Sequence, residues 1–163
     1  TMEHYLRLSC EMNNITANIL RISNLYGMLL PEDRKQGLIG VTLNKILLDK
    51  KVQIFGNPNN IRDYVYIKDV STAFEKSITQ MKGFRIFNIA SGESYSVSEV
   101  MKLIKKVTKI DFDIEYTEID YSKNLVEHVN LNISNAINNL HWQPNYKLKD
   151  GLVEMWESYK KTS

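Results

Sequence analysis

The chain has 163 residues, a size at which one domain hides roughly 70% of its unfolded surface and needs neither disulfide nor metal to hold a core. With 43% apolar, 25% charged and 10% aromatic residues, it is neither a disordered tail, a collagenous repeat nor a coiled-coil rod. Its 21 basic and 19 acidic residues leave a net charge of +2, too small a field to make nucleic acid or an acidic membrane surface an expected partner.

The single Cys10 has no internal partner for a disulfide, so a reducing, cytoplasmic compartment is expected. No apolar run approaches the roughly 18 residues that span a bilayer, and residues 1–12 lack the basic-then-apolar order of a signal peptide. Sixteen Asn cluster at Asn57, Asn59 and Asn60 and again between Asn124 and Asn145, where loop punctuation is the plain reading.

Met2, Tyr5, Leu6, Leu8 and Met12 predict a helix that lacks an N-cap of its own. Asn18–Leu25 reads as a strand ending at Tyr26-Gly27. Ile39, Leu43, Ile46 and Leu47 recur at helical spacing; Lys51–Phe55 returns to strand, and Gly56–Asn60 breaks it. Tyr64–Ile67 is a further short strand. Asp69 is expected to cap a helix burying Val70, Ala73, Phe74, Ile78 and Met81. Arg85–Ala90 predicts a buried strand.

The next helix is the best marked. Ser96 and Glu99 form a capping box, Tyr95 and Val100 are placed for a hydrophobic staple, and Val97, Val100, Met101, Ile104 and Val107 make the apolar stripe. Lys102, Lys105, Lys106 and Lys109 form its solvated face rather than a nucleic-acid patch, since no aromatic residues interleave with them. Ile114 and Tyr116 predict a strand and residues 132–140 a short helix. Beyond Pro144, Leu148–Tyr159 closes the chain as a helix carrying Leu152, Val153, Trp156 and Tyr159. Alternating strands and helices argue for α/β architecture with parallel connections.

Three side chains could carry chemistry. Asn24 lies at the carboxyl end of a predicted strand, where open α/β sheets bind ligands, though capping a turn would also place it there. Arg62 follows a Gly- and Asn-rich loop; its planar fork suits phosphate oxygens, and an ion pair with Asp63 is the alternative. Phe55 is either a stacking platform for a base or a core residue. His4, His128 and His141 lack ligand spacing, so no metal is expected. The lone cysteine has no positioned base for thiol catalysis.

In order along the chain, Met2-Glu-His-Tyr-Leu6, Leu20-Arg-Ile-Ser-Asn-Leu-Tyr-Gly27, Gln36-Gly-Leu-Ile39, Ile54-Phe-Gly56, Ile61-Arg-Asp-Tyr-Val-Tyr-Ile-Lys-Asp-Val70, Phe87-Asn-Ile-Ala-Ser-Gly92 and Leu140-His-Trp-Gln-Pro144 resemble one family. It is the NAD-dependent epimerase/dehydratase enzymes of the extended short-chain dehydrogenase/reductase superfamily, in its UDP-glucose 4-epimerase-like branch.

The resemblance implies the C-terminal part of a Rossmann-type parallel sheet plus a small mixed α/β substrate-binding domain. Residues 1–27 and 69–108 would belong to the cofactor-binding domain, and residues 28–68 and 109–163 to the substrate-binding one. It implies that Asn24 bonds the substrate's phosphate or sugar, Arg62 clamps the pyrophosphate and Phe55 faces the base with the Gln53 backbone beside it. Leu38 would line the same pocket, and Ile22 and Leu25 would back the nicotinamide.

Two departures stand out. Met28 replaces a Pro common after Tyr-Gly, and Lys123 is the only cation where many relatives carry a second phosphate-binding Arg. No G-x-G-x-x-G loop is present, and no Tyr-x-x-x-Lys in the family's context. The catalytic groups are therefore expected upstream of Thr1, the chain is expected to be inactive alone, and the full-length enzyme is expected to be a homodimer. The implied activity is NAD-dependent epimerisation of a nucleotide sugar, a UDP-sugar 4-epimerase passing through a 4-keto sugar. Dehydratase, reductase and decarboxylase relatives share this half, and a non-catalytic nucleotide-sugar-binding module is the rival from another class.

Overall fold

A computed structural model of the chain describes residues 2–28, 31, 36–79, 83–117 and 126–162. The elements run α1 (Met2–Asn13), β1 (Ala17–Ile22), β2 (Asn24–Tyr26), α2 (Leu38–Leu47), β3 (Val52–Phe55) and β4 (Ile61–Tyr66). They continue as α3 (Ile67–Thr79), β5 (Phe84–Ile89), β6 (Ser94–Ser96), α4 (Val97–Thr108), β7 (Ile114–Thr117), α5 (Ser134–Leu140) and α6 (Leu148–Thr162).

Strand pairing is parallel for β1 with β5, β2 with β4 and β3 with β7, and antiparallel only for β4 with β6. This is the expected α/β class. The strand expected over Asn18–Leu25 divides at Ser23. Its N–H still donates to Ile89 O at 3.0 Å, extending the β1–β5 ladder, and Asn24 then changes partner to pair with Tyr64 of β4. A short sequence run with uniform β propensity carries no mark of such an exchange, because both halves satisfy the same backbone groups.

Two buried clusters fill the molecule. The larger gathers Tyr26, Ile39, Leu43, Tyr64, Tyr66, Val100, Met101, Ile104, Leu152 and Trp156 around α2, β4, α4 and α6. The smaller holds Val65, Val70, Ala73, Phe87, Ile89, Ala136, Leu140 and Trp142 between β1, β5, α3 and α5. Residues 69–108 therefore divide between the clusters: α3 and β5 pack in the smaller one, and α4 packs beside α2 and α6 in the larger.

The α4 capping box forms as expected, with Glu99 N–H donating to Ser96 Oγ at 3.2 Å and Ser96 N–H to Glu99 Oε2 at 2.7 Å. Other helix faces depart from expectation. Along α1, Met2, Tyr5 and Met12 are 86%, 75% and 82% exposed, and only Cys10 is buried. Periodicity marks a face but not what covers it.

Asp69 is no N-cap, because α3 begins two residues earlier at Ile67. Its buried carboxylate instead accepts the Asn145 and Tyr146 N–H groups at 2.9 and 3.1 Å. Phe74 and Ile78 of α3, both expected inside, are exposed, as is Val153 of α6. Met81 lies outside the described residues. Gly151 in α6 admits the rings of Tyr26 and Tyr66: a Cβ there would come within 2.2 Å of the Tyr26 hydroxyl and 2.9 Å of Tyr66 Cδ2.

Candidate functional site

A cleft of about 540 Å³ opens between β2, the end of β3, the first half of β4 and the start of α2. Asn24, Leu25, Leu38, Phe55 and Arg62 all line it, joined by Tyr64, Val97 and Met155. Their convergence follows from strand alternation and from two glycines. On β4, Arg62, Tyr64 and Tyr66 share a face and Asp63 and Val65 take the other. Gly37, at φ 101°, delivers Leu38 as the first residue of α2, and Gly56, at φ 105°, turns the chain just after Phe55. Such φ values strain residues that carry a Cβ.

Arg62 makes no ion pair with Asp63. Its Nη1 donates to Ile61 O at 2.8 Å and to Glu127 O at 3.0 Å. Two carbonyls thus orient the guanidinium without cancelling its charge. Asn24 caps no turn: its Nδ2 reaches across to Asp63 O at 2.8 Å. Phe55 is 63% exposed, which removes its reading as a core residue and leaves a free ring face at the rim.

The Asn-rich loop is both punctuation and wall. Asn57 Oδ1 accepts Asn59 N–H at 2.8 Å, while Asn60 O and Pro58 O accept the Val97 and Ser98 N–H groups at 3.1 and 3.0 Å. These bonds fasten the loop to the start of α4 and turn Asn57 and Asn60 into the cleft.

Other expected site residues lie elsewhere. Gln53 does not line the cleft; its side chain is exposed and donates to Glu115 Oε2 at 3.0 Å. Ile22 packs against the smaller cluster and is not part of the lining. Lys123 lies outside the described residues. Tyr64, Val97 and Met155 escaped the sequence reading. For Tyr64 the signal was available, since residue i+2 of a strand shares the face of Arg62.

Among the described lining residues Arg62 is the single charged group, and no carboxylate opposes it. Burial pushes the Tyr64 phenol up to about 12, against the opposing charge of Arg62, so its hydroxyl is protonated at neutral pH. One cation, neutral amides, a phenol and an exposed ring suit an anionic ligand that carries hydrogen-bonding groups and an aromatic end.

Residues 1–90 match the NAD dependent epimerase/dehydratase family. The chain is 34% identical over 158 residues to the dTDP-4-dehydro-6-deoxyglucose reductase of Escherichia coli, covering 97% of this chain and 49% of that protein. Its fold superposes on the UDP-glucose 4-epimerase of Thermotoga maritima with UDP-glucose at a TM-score of 0.90 and 29% identity, over 98% of this chain and 51% of that one. It superposes on the dTDP-glucose 4,6-dehydratase of Bacillus anthracis in complex with NAD at 0.83 and 22%, over 97% and 49%. The chain spans about half the length of the relatives it matches.

Proposed function

The chain belongs to the NAD dependent epimerase/dehydratase family, and from that premise we propose that its cleft binds the nucleotide diphosphate sugar of an NAD-dependent 4-epimerase acting on a UDP-sugar. The observation that supports this reading is the cleft's charge pattern: Arg62 held by two carbonyls, unopposed by any described carboxylate, with Asn24 and the exposed Phe55 on the same wall. Arg62 takes the diphosphate, Asn24 the phosphate or sugar, and Phe55 the base, with Leu38 as the apolar lining. The sugar passes through a 4-keto form.

When bound, NAD supplies the hydride acceptor and donor of such a reaction. Leu25, 36% exposed on β2, and Ile22 on β1 are the apolar groups that would back its nicotinamide. The sequence carries no G-x-G-x-x-G loop, and we infer that these 163 residues bind and orient substrate and turn nothing over by themselves. We place the lobe boundary along the two buried clusters, with α1, β1, α3 and β5 on the cofactor side. The exposed apolar face of α1 supports a homodimer, and the cytoplasm is the compartment.

A second reading has its own support. The 34% identity to a dTDP-sugar reductase favours reduction of a keto sugar, with the same cleft holding a thymidine nucleotide. Calorimetric titration of the chain with UDP-glucose, dTDP-glucose and free glucose tests the proposal. Nucleotide sugars are expected to bind and free glucose not to; equal binding of all three would contradict it.

A further inference from the structure

Asp63 has no exposed surface, and among the described residues no Lys or Arg pairs with it. Neutral donors meet its charge instead. Oδ1 accepts from the Ser23 hydroxyl at 3.0 Å, the Ser91 N–H at 2.8 Å and the Ser91 hydroxyl at 3.0 Å, and Oδ2 accepts from the Gly92 N–H at 2.9 Å. A buried carboxylate without a cation is costly unless its lone pairs are filled, so each of these four bonds matters.

The partners come from two separate places. Ser23 is the junction where β1 gives way to β2, and Ser91-Gly92 is the turn after β5. One side chain therefore ties the ends of both strands to β4. On β4 itself, Asp63 follows Arg62, and its carbonyl accepts the Asn24 amide at 2.8 Å. The two polar groups at the cleft wall thus hang from the backbone that this carboxylate fixes.

We propose that Asp63 is a positioning residue for ligand binding, holding the β4 backbone from which Arg62 and Asn24 reach the nucleotide diphosphate. The inference rests on the nucleotide-sugar reading of the cleft. Asp63→Asn keeps the shape and one acceptor oxygen but removes the charge and sets an NH₂ donor against the Gly92 N–H, which loosens the hold of β4 on the turn after β5.

The experiment measures the affinity of the chain for UDP-glucose in Asp63→Asn, Arg62→Ala and the double variant, with urea midpoints alongside. Asp63→Asn is expected to weaken binding about tenfold in the wild-type background. In the Arg62→Ala background its effect shrinks to about threefold, the remainder acting through Asn24. Ser23→Ala, which removes one of the four bonds, is expected to weaken binding about threefold with a near wild-type midpoint.

Unchanged affinity in a folded Asp63→Asn, or equal losses in both backgrounds, overturns the proposal. If Asp63→Asn does not fold, unchanged affinity in Ser23→Ala overturns it. If Arg62→Ala leaves affinity intact, the nucleotide-sugar reading itself fails, a result distinguishable from failure of Asp63 alone.

Discussion

Arg62→Ala is expected to weaken UDP-glucose binding by about 2–5 kcal/mol, the usual loss when one partner of a desolvated charge pair is removed. Phe55→Ala loses only base stacking, about 1–3 kcal/mol. The difference lies in what each side chain leaves behind. Without Arg62 the diphosphate enters a cleft that has no other charged group among its described lining residues. Without Phe55, exposed at the rim, the base returns to water at little desolvation cost. Truncating Arg62 also takes one donor each from Ile61 O and Glu127 O, which keep the Val129 and Ile61 N–H groups, and each lost bond costs about 0.5–1.5 kcal/mol. A urea midpoint separates that structural part from the binding part. Calorimetry on both variants checks the order, and a larger loss for Phe55→Ala would contradict it.

Asp69→Ala is expected to destabilise the fold by about 2–4 kcal/mol. Its carboxylate, 1% exposed, holds the Asn145 and Tyr146 N–H groups, and an unsatisfied buried donor costs about 1–3 kcal/mol. The two bonds are part-buried, which puts the sum below two full penalties. Asp69 also sits where the clusters meet. Its carbonyl accepts the Trp142 indole N–H at 3.0 Å, in the smaller cluster, while the chain that its carboxylate fixes leads into α6, a main wall of the larger one. Asp69→Asn keeps one acceptor and should lose less. Urea unfolding of both variants checks this; a midpoint for Asp69→Ala equal to wild type would contradict it.

The physical reasons that made Asp69 important also made it hard to read. A Ser, Thr, Asp or Asn ahead of an apolar run signals a cap because most such residues bond their own helix. Ser96 does so, and its capping box was legible to the atom. Asp69 bonds a segment 76 residues away, a partner that local spacing cannot announce. The same limit explains the helix faces. Val100, Met101 and Ile104 are buried as their period predicts, whereas Phe74, Ile78 and Val153 share a comparable period and are exposed.

In the site, Asn24, Leu38, Phe55 and Arg62 were legible from motif order, and they share one cleft because strand ends and glycine turns gather them. Gln53 shares the strand face of Phe55; its side chain turns with Glu115 to solvent while Phe55, two residues on, reaches the rim. Tyr64 was hidden by its own apolar neighbours, although it shares the face of Arg62.

An amide chemical-shift map of the chain titrated with UDP-glucose tests most directly whether this cleft holds the nucleotide sugar. The largest perturbations are expected at Asn24, Leu38, Phe55 and Arg62. Perturbations centred instead on a second cavity of about 1110 Å³ lined by Arg7, Arg85 and Asn135, with none around Arg62, would contradict that reading.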